Sequence, residues 1–296
     1  MNKALIIPAK GIGDALLMMI ASHRLLQEGY QVYTQHQGLE ELKEWFPDHK
    51  FSHEENTYDL VIVENDNSSK IGEFRKKFGE KLSIFYPTYN PQKHPPLSSL
   101  DQVFDHEKPM ADNIAYAIAR ILKSRHISKN NGIVPLAGLT HQAYKKRVLI
   151  HPASSSLDKN WLKKSYLNLS KKLKKRGFEP LFVLAPHERN EWPEETPLFP
   201  TLSDLAKTVY ESAFAIGNDS LIGHLASNFH IPTLIIASCP KRMQLWRPGW
   251  LLGAVLTPPP WIPRPLRKKY WKNLISPNRV LESFLEMYDF GINSLK

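Results

Sequence analysis

The sequence predicts an α/β protein with two Rossmann-like domains, each built around a parallel sheet. Three observations lead to this prediction. Segments with strand and helix patterns alternate along the chain. The alternation stops over residues 130–144, which are polar and contain Gly and Pro, and then restarts. The 296 residues are enough for two domains of roughly 150 residues each.

The first predicted domain, residues 1–140, begins with an apolar segment, Lys3–Ile7, that is typical of a buried strand. Helical periodicity follows it, and the alternation continues to a helix that closes the domain. Residues 87–109 are rich in Pro, His and Ser and indicate a surface loop. The remaining predicted strands are Tyr30–Thr34, Asp59–Glu64 and Leu82–Phe85, and the predicted helices are Asp14–Glu28 and Met110–Ser124.

The second predicted domain, residues 141–275, repeats the alternation. Gly177 follows a lysine-rich helical segment, where it is expected to end the helix. A last amphipathic helix, Asn278–Tyr288, lies in residues 276–296 and is expected to pack back on the first domain. The predicted strands are Val148–His151, Leu181–Ala185, Ala213–Gly217 and Thr233–Ala237, and the predicted helices are Leu162–Arg176, Leu202–Glu211 and Ser220–Phe229.

Composition excludes several classes of protein. Apolar residues make up 42% of the chain and charged residues 23%, which excludes global disorder. The single cysteine, Cys239, excludes a disulfide framework and any zinc site with two or more thiolates. No apolar run reaches the roughly 20 residues of a membrane span. Pro8, Lys10 and Asp14 interrupt the apolar stretch that a signal peptide would need. We therefore expect a soluble cytoplasmic protein.

The positive charge is concentrated in the second domain. Residues 1–140 contain 16 Lys or Arg and 17 Asp or Glu, whereas residues 141–296 contain 23 and 12. The net charges of −1 and +11 indicate that the second domain faces an anionic partner. Nucleic acid, a nucleotide diphosphate and a membrane surface all agree with this charge.

The loop between the first strand and the first helix contains Lys10, Gly11, Gly13 and Asp14. It begins like a dinucleotide-binding fingerprint, but Leu16 stands where the third glycine is required, so that motif fails. Asp14 has two interpretations. It can be the N-cap of the helix, or it can serve as a general base at the carboxyl edge of a parallel sheet, where α/β proteins bind ligands.

Two loops of the second domain suit phosphate. Ser154 and Ser155 supply hydroxyls and Lys159 a cation, although an ordinary serine-rich turn has the same composition. Asp219 and Ser220 stand between a strand and a helix whose N-terminus attracts anions. His224, four residues after Ser220, shares its helix face. The alternative is a simple helix cap followed by a packed histidine.

The order of three motifs resembles glycosyltransferase family 9, the ADP-heptose:lipopolysaccharide heptosyltransferases, which have the two-domain GT-B fold. The motifs are GIGD near the N-terminus, SSSLDKNW in mid-chain and LSDLAKTVYESAFAIGNDSLIGHLAS later. The resemblance implies that Asp14 and Lys159 are catalytic and that the loop of Lys10, Gly11 and Gly13 lies on the acceptor side. It implies donor contacts from Ser154, Ser155, Lys159, Glu188, Asp219, Ser220, Leu221, Gly223 and His224, with Glu188 at the ribose.

The resemblance also implies a reaction. The first domain binds an oligosaccharide or lipid-linked acceptor, the second binds a nucleotide sugar, and transfer with inversion takes place between them without a metal or other cofactor. Heptose from ADP-heptose and a lipopolysaccharide core acceptor are the implied substrates. Leu221 replaces the motif glycine, and residues 237–240 depart from the Gly-Pro-Thr-like turn of the family. These departures leave a non-catalytic protein that only binds nucleotide sugar as an alternative.

A basic segment, Arg264–Lys272, suggests a surface partner. Its positive charges coincide with the aromatic residues Trp261, Tyr270 and Trp271, which suit the headgroup region of a membrane. We therefore expect peripheral association with anionic membranes. The same pattern fits a nucleic-acid-binding protein, but no nucleic-acid motif accompanies it, so nucleic acid is not the expected partner.

Overall fold

A computed structural model of the protein describes residues 1–51, 57–66, 70–154, 156–192, 196–251 and 253–293. The chain divides into two compact units, Met1–Leu136 (unit 1) and Ala137–Lys296 (unit 2). Each unit contains a five-stranded sheet in which all recorded strand pairs are parallel. The division between Leu136 and Ala137 falls inside the predicted linker, residues 130–144.

The sheet of unit 1 has the strand order β2-β1-β3-β4-β5. Its strands are β1 (Lys3–Ile7), β2 (Gln31–Thr34), β3 (Leu60–Glu64), β4 (Leu82–Tyr86) and β5 (Gln102–Val103). Its helices are α1 (Ile12–Gln27), α2 (Gln37–Glu40), α3 (Ile71–Phe78) and α4 (Met110–Ile121), with 3₁₀ turns at Lys43–Trp45 and Gly79–Lys81. Buried residues occupy nearly the whole of α1 up to Leu25, because this helix lies between the sheet and α4.

The sheet of unit 2 has the strand order β10-β9-β8-β6-β7. Its strands are β6 (Tyr144–His151), β7 (Glu179–Phe182), β8 (Ser212–Asn218), β9 (Thr233–Ile236) and β10 (Ala254–Leu256). Its helices are α5 (Lys163–Lys175), α6 (Leu202–Glu211), α7 (Leu221–Asn228), α8 (Pro240–Trp246), α9 (Arg264–Leu274) and α10 (Pro277–Asn293), with 3₁₀ turns at Leu157–Lys159 and Pro186–Glu191.

The lysine-rich helix α5 is amphipathic. Tyr166, Leu169 and Leu173 recur at a spacing of three or four residues and are buried, while most lysines face outward. Gly177 follows the C-cap of α5 and adopts a φ of +78°, a left-handed conformation that ends the helix as predicted.

The C-terminal helix α10 differs from its expected position. Its residues Val280, Leu281 and Phe284 are buried in the core of unit 2. Phe284 makes edge-to-face contacts with Phe178 and Phe214, with ring centroids 4.8 Å apart in both pairs. The apolar face that was expected to pack on the first domain is therefore used within unit 2.

The aromatic residues near the basic segment separate into two groups. Trp261 and Tyr270 are exposed, at 81% and 43%. Trp271 is only 5% exposed and belongs to the core of unit 2. The expectation that Trp271 faces a membrane is therefore wrong, because α9 uses this side chain to attach itself to the sheet. Among the described residues, no helix combines the length and apolarity needed to cross a bilayer.

Candidate functional site

The loop after β1 places Asp14 in the first turn of α1. Gly11, not Asp14, is the N-cap residue, so the cap interpretation of Asp14 does not hold. A Cβ atom at Gly11 would stand 2.5 Å from Oδ2 of Asp14, so glycine leaves the room that this carboxylate occupies. The helix dipole favours a negative charge in this turn. Lys10 is exposed and Gly13 half-buried beside it.

Glu64, a residue that sequence reasoning missed, lies at the carboxyl end of β3, the strand next to β1. Its side chain is buried, Oε2 accepts a hydrogen bond from the Ala9 amide at 3.1 Å, and Oε1 has no partner. Burial raises the pKa of the Glu64 carboxyl well above its usual range, and the charge of Asp14 raises it further. Glu64 therefore retains its proton at a higher pH than an exposed glutamate, beside the predicted base.

A cavity of about 700 Å³ opens beside the same loop of unit 1. Lys10, Lys70 and Lys77 outnumber the single carboxylate Glu73 in its lining, so the charge is net positive, and Phe74 contributes apolar surface. Such a cavity suits a ligand with both anionic and apolar parts.

In unit 2, three loops meet at one edge of the sheet. They follow β6, β8 and β9, which are neighbours in the sheet, so parallel pairing brings their carboxyl ends together. Oδ2 of Asp219 lies 3.5 Å from Nζ of Lys159 and 3.5 Å from Nε of Arg242. Lys159 follows β6, Asp219 follows β8 and Arg242 lies at the start of α8, the helix after β9, so three neighbouring strand–helix connections form a cluster of two cations and one carboxylate.

Unpartnered polar atoms lie at the same edge. Ser220 occupies the N-cap position of α7 without a side-chain capping bond, and its buried Oγ has no hydrogen-bond partner. Nδ1 of His224 and Nδ1 of His151 are also buried and unpartnered. Burial lowers the pKa of both imidazoles, that of His151 to about 4, while Asp219 partly offsets the effect for His224. Both rings are therefore neutral near pH 7 and each can donate or accept one hydrogen bond.

Asn218, another residue that sequence reasoning missed, attaches the mid-chain loop to β8. Its Nδ2 donates to the Pro152 carbonyl at 2.6 Å. Its Oδ1 accepts from the Trp161 amide at 3.1 Å and from the Tyr166 hydroxyl at 2.9 Å. Breaking one of these bonds would leave a buried polar group unsatisfied, which costs about 1–3 kcal/mol. The fully buried amide therefore fixes both ends of the loop that carries Lys159.

The other predicted donor residues take varied positions. The Ser154 hydroxyl donates within its own loop, to Oδ1 of Asn160 at 2.7 Å, and Ser155 lies outside the described residues. Glu188 accepts the Ala185 amide at 2.9 Å and so caps a 3₁₀ turn. Two further predicted residues belong to α7. Leu221 is half-buried at its first position, and Gly223 allows close packing, since a Cβ there would stand 2.7 Å from Cδ1 of Ile235.

The polar groups of unit 2 can bind an anion, and unit 1 presents the carboxylate of its own Asp14 beside the buried Glu64. An unpartnered hydroxyl at the N-terminus of α7, together with two cations and neutral imidazoles at the same sheet edge, is suited to phosphate oxygens. Two units, each with a five-stranded parallel sheet and polar loops at its carboxyl edge, define a two-domain α/β protein.

Solved structures confirm this class. The chain is similar to E. coli ADP-heptose lps heptosyltransferase II, with a TM-score of 0.69 at 16% identity over 97% of this chain and 98% of that one. E. coli heptosyltransferase WaaC, solved with ADP-2-deoxy-2-fluoro heptose, gives 0.67 at 16% over 96% and 99%. The glycosyl transferase family 9 protein from Veillonella parvula DSM 2008 gives 0.68 at 14% over 97% of both chains. No protein-family model and no curated protein sequence matches the chain.

These similarities confirm the predicted GT-B fold and the structural resemblance to heptosyltransferases over nearly the whole chain. The three predicted loops lie at strand ends in their respective units, as the motifs indicated. Glu64, Asn218 and Arg242 were not predicted as site residues. Glu64 and Asn218 could have been found because each is a polar residue at the end of an apolar strand. Arg242 lies at the start of α8, a helix that the sequence did not predict, so no comparable pattern pointed to it.

Proposed function

We propose that the protein is a glycosyltransferase that moves a sugar from a nucleotide-sugar donor to an acceptor hydroxyl. The observation that carries this proposal is the cluster at the carboxyl edge of the sheet in unit 2. Lys159 and Arg242 supply two cations there, and Ser220 and His224 supply polar atoms without partners. The whole-chain fold similarity to heptosyltransferases supports it. WaaC was solved with ADP and with an ADP-heptose analogue, which favours an ADP-linked heptose as the donor.

The proposed reaction inverts the anomeric carbon in one displacement. The acceptor oxygen forms a bond to the anomeric carbon, and its proton passes to the Asp14 carboxylate. The bond from that carbon to the diphosphate oxygen breaks, and the nucleoside diphosphate leaves with the electron pair. Lys159 and the N-terminal turn of α7 stabilise the charge that grows on the leaving group, while neutral His224 adds a hydrogen bond. In this proposal the protein's own cations stabilise the leaving nucleoside diphosphate, and no metal ion is required.

The proposed acceptor binds to unit 1. Its cavity of about 700 Å³ lies beside Lys10 and combines lysines with aromatic side chains. These groups favour an acceptor with anionic substituents on a sugar or lipid, such as a lipopolysaccharide core. Lys10 and Ile12 of the cavity lining belong to the β1–α1 connection, four and two residues before Asp14, and we propose that the acceptor hydroxyl reaches Asp14 from this side.

A screen of nucleotide sugars tests the function. The protein is incubated with ADP-heptose, other ADP-sugars and UDP-sugars, and retained ligand is measured by native mass spectrometry. Transfer to deacylated core oligosaccharide is then followed with and without EDTA. We expect retention of an ADP-sugar and EDTA-insensitive transfer. Retention without transfer to any acceptor would favour the non-catalytic alternative that Leu221 leaves open, and retention of none would contradict the proposal.

We also propose reversible association with anionic membranes through α9. Arg264, Lys268 and Lys269 are exposed there, and the exposed Trp261 lies three residues before the helix begins. Each basic residue near an anionic surface contributes roughly 1 kcal/mol, and salt screens the attraction. Lys272 is left out of the test because its Nζ donates to the Leu157 carbonyl at 2.8 Å.

Vesicle co-sedimentation tests this association. Changing Arg264, Lys268 and Lys269 together to Glu should remove most binding to phosphatidylglycerol-containing vesicles at low salt. The matched control changes Lys171, Lys174 and Lys175 of α5, also exposed, to Glu, and it should retain more binding. Equal binding to neutral vesicles, or an equal loss in the control, would contradict a role for α9.

A further inference from the structure

The carboxylate of Asp219 lies between two cations that come from different loops. Lys159 belongs to the loop after β6 and Arg242 to the first turns of α8, after β9. Both approach the same oxygen, Oδ2, at 3.5 Å. The Asp219 side chain is 12% exposed and the Arg242 side chain 47%. The cluster has a formal charge of +1, so one carboxylate does not neutralise it.

The guanidinium of Arg242 has capacity for another ligand. Its recorded ion pair uses Nε, and no described residue pairs with either terminal nitrogen. Its Cζ lies 5.7 Å from the ring centroid of Trp246, one turn further along α8, so the aromatic face limits where the side chain points. A guanidinium presents five N–H donors in a planar fork that matches the oxygens of a phosphate.

The surroundings of this cluster indicate what that ligand is. Ser220, next to Asp219 in the chain, has a buried hydroxyl without a partner, and His224 one turn later has an unpartnered Nδ1. Two cations, a hydroxyl and a neutral imidazole are donors for several adjacent oxygens with more than one negative charge. A diphosphate has these properties, whereas a single carboxylate would leave most of the donors unused.

We propose that Arg242 binds the diphosphate of the donor together with Lys159, and that Asp219 holds the two cations in place when no donor is bound. This inference rests on the proposed function, because it assigns the ligand of the same site. On binding, the diphosphate oxygens take the free terminal nitrogens of Arg242 and compete with Asp219 for both cations. Arg242 thereby stabilises the departing nucleoside diphosphate as well as the bound donor.

The alternative is that Arg242 only forms a surface ion pair with Asp219. Such pairs contribute little to stability, and a purely structural pair would leave the affinity for anions unchanged when Arg242 is substituted. Substitution can separate the two possibilities, because a surface pair affects unfolding at most slightly, whereas a diphosphate ligand affects affinity and turnover. Lys241, the preceding residue on α8, is exposed and provides a control with the same loss of charge.

The test compares Arg242→Ala, Arg242→Lys and Lys241→Ala in the full chain. Binding of ADP, inorganic pyrophosphate and adenosine is measured by calorimetry, and thermal unfolding is followed for each variant. Charge-assisted hydrogen bonds are worth enough for Arg242→Ala to weaken ADP and pyrophosphate binding about tenfold or more. Adenosine binding should not change. Arg242→Lys should be intermediate because it keeps the charge but loses the fork, and Lys241→Ala should bind like the unsubstituted protein.

The outcomes distinguish this inference from the proposed function. Unchanged pyrophosphate affinity in Arg242→Ala, or an equal loss in Lys241→Ala, would overturn the role of Arg242 alone. A specific loss in Arg242→Ala from a protein that transfers no sugar would support the diphosphate site and contradict the glycosyltransferase. If the unsubstituted protein binds neither ADP nor pyrophosphate, both proposals fail. Should Arg242→Ala unfold, Arg242→Gln with the same three ligands replaces it.

Discussion

Asp14→Asn should reduce sugar transfer by about 10² to 10⁴, the usual contribution of a general base. The amide has nearly the same shape as the carboxylate, so it still fits the space that Gly11 leaves, but it cannot accept the proton of the acceptor hydroxyl. Donor binding should stay nearly unchanged, because the donor residues belong to unit 2 and Asp14 to unit 1. Transfer rates and ADP affinity are measured on the same preparation.

The control for Asp14 is Asp48→Asn, which removes an exposed carboxylate from the same unit. It should retain full activity, which excludes a general effect of charge. A fully active Asp14→Asn variant would contradict the assignment of the base. The carboxylate would then have only a local role in the first turn of α1.

Lys159→Ala should weaken donor binding and slow turnover together. The lysine balances charge in the bound donor, and that charge grows as the diphosphate leaves, so the loss should be larger in kcat/KM than in donor affinity. Removing one such stabilising group costs about 10² to 10³ in rate in comparable sites. Steady-state kinetics and calorimetry with ADP measure the two effects separately.

Lys164→Ala is the matched control, because Lys164 is an exposed lysine five residues later on α5. It should leave kcat/KM unchanged. If Lys159→Ala altered only the unfolding temperature, the ion pair with Asp219 would be structural and the mid-chain loop would not bind the donor.

Local patterns were sufficient for most of the fold. The apolar strands and the helices predicted between them lie within a few residues of their observed limits; for α6, predicted and observed limits coincide at Leu202–Glu211. Several short segments, α2, α3, α8, β5 and β10, and the helix α9 were not predicted. Strand β5 has only two residues, too few for a period to appear, and α9 has one buried residue, Trp271, so it lacks an apolar stripe.

The position of the loops could also be predicted, but their chemistry only partly. A strand followed by a loop and a helix places Asp14, Lys159 and Asp219 at carboxyl ends without any knowledge of packing. The partners of these side chains come from distant parts of the chain. Asp219 contacts Lys159, which lies 60 positions earlier, and no periodicity relates the two.

The sequence by itself determined most of the longer strands and helices of this protein, where the chain divides and which loops carry polar groups. These properties depend on hydrophobic periods of two and 3.6 residues, which are local. Only the tertiary structure decided that Glu64 lies buried beside Asp14, that Asn218 fixes the mid-chain loop and that Trp271 and α10 belong to the core of unit 2. Such contacts depend on strand order and on which face of each element finds space to pack, and these are settled by the free energy of the whole fold.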